Sequence, residues 1–239
     1  MEKIMTFETL DNFCYCNHRV CKRPIKGIVL TLNGLGFGTM YKEEGRTESR
    51  FYDEHGIIQI VPYYNPWCWM NRQTVDYVDE LIDVVIAGLN LPADIPIVST
   101  GNSMGGLCSL VYTAYAKHTP SFTLANCPVC DLPYHYTERP DLPRTLYSAF
   151  GSYEGTMAEA LQSASPVHLV DQMPDIPYLI YHCTADDQVN KQKHSDVFVE
   201  KMQKAHRVEY IAVPDRGHCD LPQDVKDQFY QKINDFLSK

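Results

Sequence analysis

The chain has 239 residues, 44% of them hydrophobic, and a formal net charge of −9. That apolar content supplies a full core and excludes a disordered chain, and the length fits one domain with room for an insertion. No cluster of Lys and Arg marks a nucleic-acid surface, and no apolar run is long enough to span a bilayer.

The opening residues carry no apolar core of signal-peptide length, and the nine cysteines cannot all pair internally. Together these predict a cytoplasmic setting with free thiols. In chain order, the residues up to Val20 read as a short hairpin. An apolar strand then runs into a glycine-rich loop over 25–38, and a second strand covers 56–64. Apolar residues at three and four spacing predict a helix over 73–89.

The stretch "IPIVSTGNS" reads as a third buried strand, followed by a central helix in "GGLCSLVYTAYAKH". "SFTLANCPV", "IPYLIYHCTADD" and "RVEYIAVPDRGH" supply further strands, with amphipathic helices in "KQKHSDVFVEKMQKA" and "VKDQFYQKINDFL". Apolar strands alternating with helices predict a mostly parallel sheet covered on both faces. The segment 131–175 breaks the rhythm and reads as an insertion over the sheet.

Between the third strand and the central helix lies Gly101-Asn102-Ser103-Met104-Gly105. A chain that leaves a strand and enters a helix within so few residues crowds the Cβ positions two residues either side of the serine. With 13 glycines in the chain, a given serine has both flanks glycine by chance in roughly 0.3% of cases. Ser103 is therefore the candidate nucleophile. Its base and orienting acid should follow at strand ends, in the order acid then histidine. Asp186 or Asp187 past one strand, and His218 past the last, meet that requirement. His182 sits inside a strand end and reads as a hydrogen-bonded core residue.

Over nearly its whole length the chain resembles an α/β-hydrolase. The segment "SASPVHLVDQMPDIPYLIYHCTADDQVN" is similar to the catalytic domain of the prolyl oligopeptidase group, with its Ser-Pro segment, strand and His-Gly-Thr-x-Asp-x-x-Val run. The resemblance implies a Ser103–Asp186–His218 triad and favours Asp186 over Asp187. Cys183 stands where the group often has glycine. No segment reads as the β-propeller that restricts the large peptidases to peptides.

Acyl transfer needs N–H groups aimed at the developing oxyanion. The backbone of Met104 is one expected donor and that of Leu35, in the loop Asn33-Gly34-Leu35-Gly36, the other. Asn33 stands where relatives carry His or Tyr, and its amide either donates or braces the loop. Gly-x-Gly-x-Gly from Gly34 also suggests a dinucleotide loop, but the next strand lacks the terminal acid such a site uses. No cofactor is expected.

Trp67, Trp69, Asn33 and Tyr134 are candidate pocket residues, and Tyr136 and Tyr147 could help roof the cleft. Cys14, Cys16, His18 and Cys21 lack zinc-ligand spacing, so no metal is expected. Cys127 and Cys130 share a redox spacing but read as buried thiols. The expected substrate is a small carboxylic ester. A short peptide is the alternative, with Glu138 or Asp141 anchoring its amine. A non-catalytic binding protein on the same fold is the third reading.

Overall fold

Along the central strands, burial alternates between two cores, as the two-residue period of a pleated strand requires. Ile28, Leu30 and Leu32 pack in one core, while Val29 packs in the other with Ile57, Val98, Leu124 and Leu179. The computed structural model describes residues 4–36 and 47–239. Gly38, the third glycine of the early loop, lies outside them.

Seven strands form one sheet. They are β1 (Cys14–Cys16), β2 (Gly27–Leu32), β3 (Ile57–Pro62), β4 (Ile97–Asn102), β5 (Phe122–Asn126), β6 (Tyr178–Cys183) and β7 (Val208–Val213). Their order is β1-β3-β2-β4-β5-β6-β7, parallel throughout except at β1. Helices α2 (Arg72–Gly88), α3 (Met104–Tyr115) and α7 (Ser195–Met202) contribute to the larger core, and α1 (Thr47–His55) and α8 (Gln223–Leu237) to the other. This is the α/β-hydrolase fold.

The opening segment is not a hairpin. Cys14 pairs with Pro62 and Cys16 with Ile60, so β1 caps the free edge of β3 antiparallel. A parallel β2–β3 pair leaves that edge open, and a short strand covers it. Helix α1 lacks the apolar periodicity that announces α2. Charged residues surround Phe51 and Tyr52 in its sequence.

The segment 131–175 carries α4 (Leu132–His135), α5 (Leu142–Phe150) and α6 (Met157–Ser163). Leu132, Leu142, Leu146 and Leu161 join the larger core, so this segment has no separate interior of its own. Among the described residues, no helix is long and apolar enough to cross a membrane.

The chain steps from β2 out to β3, then returns to the other side of β2 with β4. Open parallel sheets hold a crevice at such a reversal, beyond the carboxyl ends of the strands. Asn33 follows β2 there, and Ser103 follows β4.

Candidate active site

Ser103 leaves β4 with φ 58° and ψ −122° and starts α3 at once. A non-glycine residue in such a conformation costs on the order of 1–3 kcal/mol and needs its surroundings to enforce it. The Ser103 N–H donates to the Asn126 carbonyl at 2.9 Å, and its carbonyl accepts from Leu107 N–H at 3.1 Å. A Cβ at Gly101 would overlap the Gly105 carbonyl, and one at Gly105 would overlap the Leu32 carbonyl. A Cβ at Gly106 would lie 2.9 Å from Pro128 Cβ. No side chain caps α3, so its first N–H groups stay open toward the cleft end of the helix.

Asp186 and His218 come from the loops after β6 and β7. His218 Nδ1 donates to Asp186 Oδ2 at 2.7 Å, and this Asp186 side chain is fully buried. Its other oxygen accepts from the backbone N–H groups of Gln188 and Val189, both at 2.9 Å. His182 Nε2 lies 3.3 Å from Asp186 Oδ2 and also 3.2 Å from the Val189 carbonyl. Burial alone would raise the Asp186 carboxyl, but the bonds from His182, His218 and Val189 outweigh it and hold the group well below the carboxylate range. Asp187 is exposed and accepts from the Gln188 side chain.

Ser103 and His218 line one cleft of about 530 Å³ with Asn33, Gly34 and Leu35. Among the described residues no hydrogen bond links the Ser103 hydroxyl to His218, whose Nε2 meets the Cys219 thiol at 3.5 Å. Such bonds are often open without substrate and close when it docks. The loop after β2 runs beside the serine, since a Cβ at Gly34 would lie 3.9 Å from Ser103 Cβ. Tyr64 fixes that loop: its hydroxyl accepts from Asn33 N–H at 2.5 Å and lies 3.3 Å from the Asn33 carbonyl.

The aromatic candidates separate. Trp69 lines the cleft, but it is fully buried and donates its indole N–H to Thr145 at 3.1 Å. Trp67 does not line the cleft; it is exposed beneath Arg144, whose guanidinium lies 5.6 Å from the ring centre. Trp69 and the Met70 that follows it both adopt positive φ. Tyr134 also falls outside the cleft lining, its ring edge-on to His194 at 5.6 Å. Tyr136 and Tyr147 are likewise not among the lining residues. The four donors of Cys14, Cys16, His18 and Cys21 do not converge on one point, and every cysteine is unpaired.

Two lining residues, His135 and Arg139, were not expected from the sequence. Glu138 Oε2 accepts from His135 Nδ1 at 2.5 Å and from His194 Nε2 at 2.8 Å. His194 Nδ1 in turn accepts from the N–H groups of Cys130 and Asp131, both at 3.1 Å. His135 ends α4 and Glu138 follows three residues later in the turn, but nothing local announces His194. Arg139 spans Asp141 and Gln188.

Burial would raise Glu138, yet the two imidazoles bring it from 4.5 down to about 2. A depressed carboxyl stabilises the fold fully above about 4.5 and loses that contribution as pH falls toward about 2. Glu138→Gln is therefore expected to cost about 2 kcal/mol near neutrality. The gap to wild type should close in strong acid, as urea melts across pH would measure.

The sequence model of the prolyl oligopeptidase family matches residues 91–239. No curated protein matches the sequence. Among solved structures, dipeptidyl peptidase 4 of Porphyromonas gingivalis superposes with a TM-score of 0.69 at 15% identity, over 91% of this chain and 31% of its own. A puromycin-hydrolyzing peptidase of Mycobacterium tuberculosis gives 0.73 at 15% identity, over 90% and 34%. A propionate-bound thermophilic esterase of Thermogutta terrifontis gives 0.67 at 18% identity, over 99% and 93%. This chain thus spans about a third of each of those peptidases and nearly all of the esterase. With the family match over more than half of its length, the chain belongs to the prolyl oligopeptidase family.

Proposed function

We propose that this hydrolase cleaves small carboxylic esters through Ser103, His218 and Asp186. One observation carries the reading: a serine held at positive φ lines the same cleft as an imidazole bonded to a buried carboxylate.

In the proposed reaction, His218 Nε2 takes the hydroxyl proton as Ser103 attacks the acyl carbon. Asp186 holds Nδ1 protonated and stabilises the imidazolium that forms. The backbone N–H groups of Met104 and Leu35 receive the oxyanion, an arrangement in which each donor is worth roughly 10²–10³-fold in rate. His218 then protonates the leaving alcohol, and water repeats the sequence on the acyl-enzyme. No metal or organic cofactor enters these steps.

The cleft composition supports an ester over a peptide with a free amino end. An amine anchor requires a carboxylate facing the substrate. Glu138 is held by His135 and His194, and Asp141 by Arg139. Among the described lining residues the formal charges are Arg139 and Lys226, both positive. Short-chain p-nitrophenyl esters assayed beside an aminoacyl p-nitroanilide test the choice. Saturable ester turnover with negligible anilide turnover is expected. Comparable turnover of the anilide would replace the ester reading with the peptidase one.

A further inference from the structure

We propose that Cys127, Cys219 and His218 form a binding site for a thiophilic divalent cation such as Zn²⁺, and that its occupation switches the hydrolase off. The donor atoms of these three residues lie within 4.8 Å of one another. Cys219 Sγ is 3.5 Å from His218 Nε2. In a tetrahedral zinc site, Zn–S bonds of about 2.3 Å and Zn–N bonds of about 2.0 Å place sulfur and nitrogen ligands about 3.5 Å apart. The thiol and imidazole are thus already at ligand separation.

The surroundings suit ligands. His218 Nδ1 donates to Asp186 at 2.7 Å, which leaves the Nε2 lone pair free for a metal. A carboxylate behind a ligating histidine is the usual outer shell of zinc centres. Cys127 Sγ accepts from the Cys183 N–H at 3.3 Å, a bond that favours thiolate. Cys219 and His218 both line the cleft, so a cation reaches them from solvent and keeps an open position there. Cys127 is fully buried behind them.

Binding replaces two S–H protons by two Zn–S bonds and adds one Zn–N bond, with no change of oxidation state. Each thiol gives up its proton to solvent on binding, so affinity should rise with pH. The inhibitory half of the inference rests on the proposed role of His218, because a metal-bound Nε2 cannot accept the Ser103 proton. The binding half stands without it.

Co²⁺ titration of the full chain under reducing conditions tests binding directly. One Co²⁺ per chain is expected, with a thiolate-to-cobalt charge-transfer band and the visible bands of tetrahedral geometry, both erased by Zn²⁺. Cys219→Ser should weaken binding at least about 100-fold and reduce the charge-transfer intensity. Cys127→Ser should do the same. If its burial prevents folding, as far-UV circular dichroism would report, Cys219→Ser carries the assignment. A wild-type protein without the band, or a Cys219→Ser variant with wild-type affinity, overturns the site. Zn²⁺ should also stop wild-type ester turnover reversibly by EDTA. Its inhibition constant should rise about 100-fold in Cys219→Ser, each variant measured against its own uninhibited rate. Binding without inhibition overturns the switch. A protein with no turnover at all would fail the ester reading, while the Co²⁺ spectrum still decides the site.

Discussion

Replacing Asp186 with asparagine is expected to lower kcat/KM roughly 10⁴-fold, while the same change at Asp187 leaves it within about twofold. The two neighbours differ in what they touch. Asp186 is buried and bonded to His218 Nδ1, His182 and two backbone N–H groups, whereas Asp187 is exposed. An amide at position 186 could present an N–H to Nδ1 and favour the tautomer whose Nε2 already carries a proton. That imidazole cannot accept one from Ser103. The loss should fall on kcat with little change in KM, because Asp186 does not line the cleft. Steady-state kinetics on one ester across pH would check both variants.

Gly105→Ala is expected to destabilise the protein by about 3 kcal/mol or more and to remove activity with it. Its Cβ would overlap the Leu32 carbonyl and sit 2.9 Å from the Asn33 carbonyl carbon. Both are backbone at the end of β2, so neither can rotate aside. Relief would require α3 to back away from the sheet, taking Ser103 and the Met104 N–H out of position. A loss of that size lowers the melting temperature by roughly 6–12 °C in a chain of this length. Gly217→Ala is the control. Nothing lies within 4 Å of its Cβ, so its effect on melting should be small.

The parts legible in the sequence are those written in local chemistry. Gly101 reports a steric demand that acts within five residues, against the Gly105 carbonyl, while Gly105 meets the backbone at the end of β2. The alternation of apolar strands and helices reports a covered parallel sheet. That Asp186 and His218 meet follows from strand ends that converge in this architecture. What was not legible depends on pairs the fold brings together. Glu138 looked available as an amine anchor, but His194, distant in sequence, occupies it. The two tryptophans share one short stretch, yet Trp69 is buried and Trp67 exposed. Cys127 shares a Cys-x-x-Cys spacing with Cys130 in the sequence. In the fold its sulfur instead lies near Cys219, from a different strand end. Strand β1 shows the same limit, since its partner is β3 and not its sequence neighbour.

The central claim is that Ser103 is an activated nucleophile, and a fluorophosphonate reads that most directly. The folded protein would be incubated with the reagent, its intact mass measured and the adduct mapped by peptide digestion. One adduct per chain on Ser103 is predicted, slowed at least roughly 10³-fold in His218→Ala. Folded protein without an adduct, or with one on another residue, would contradict the account.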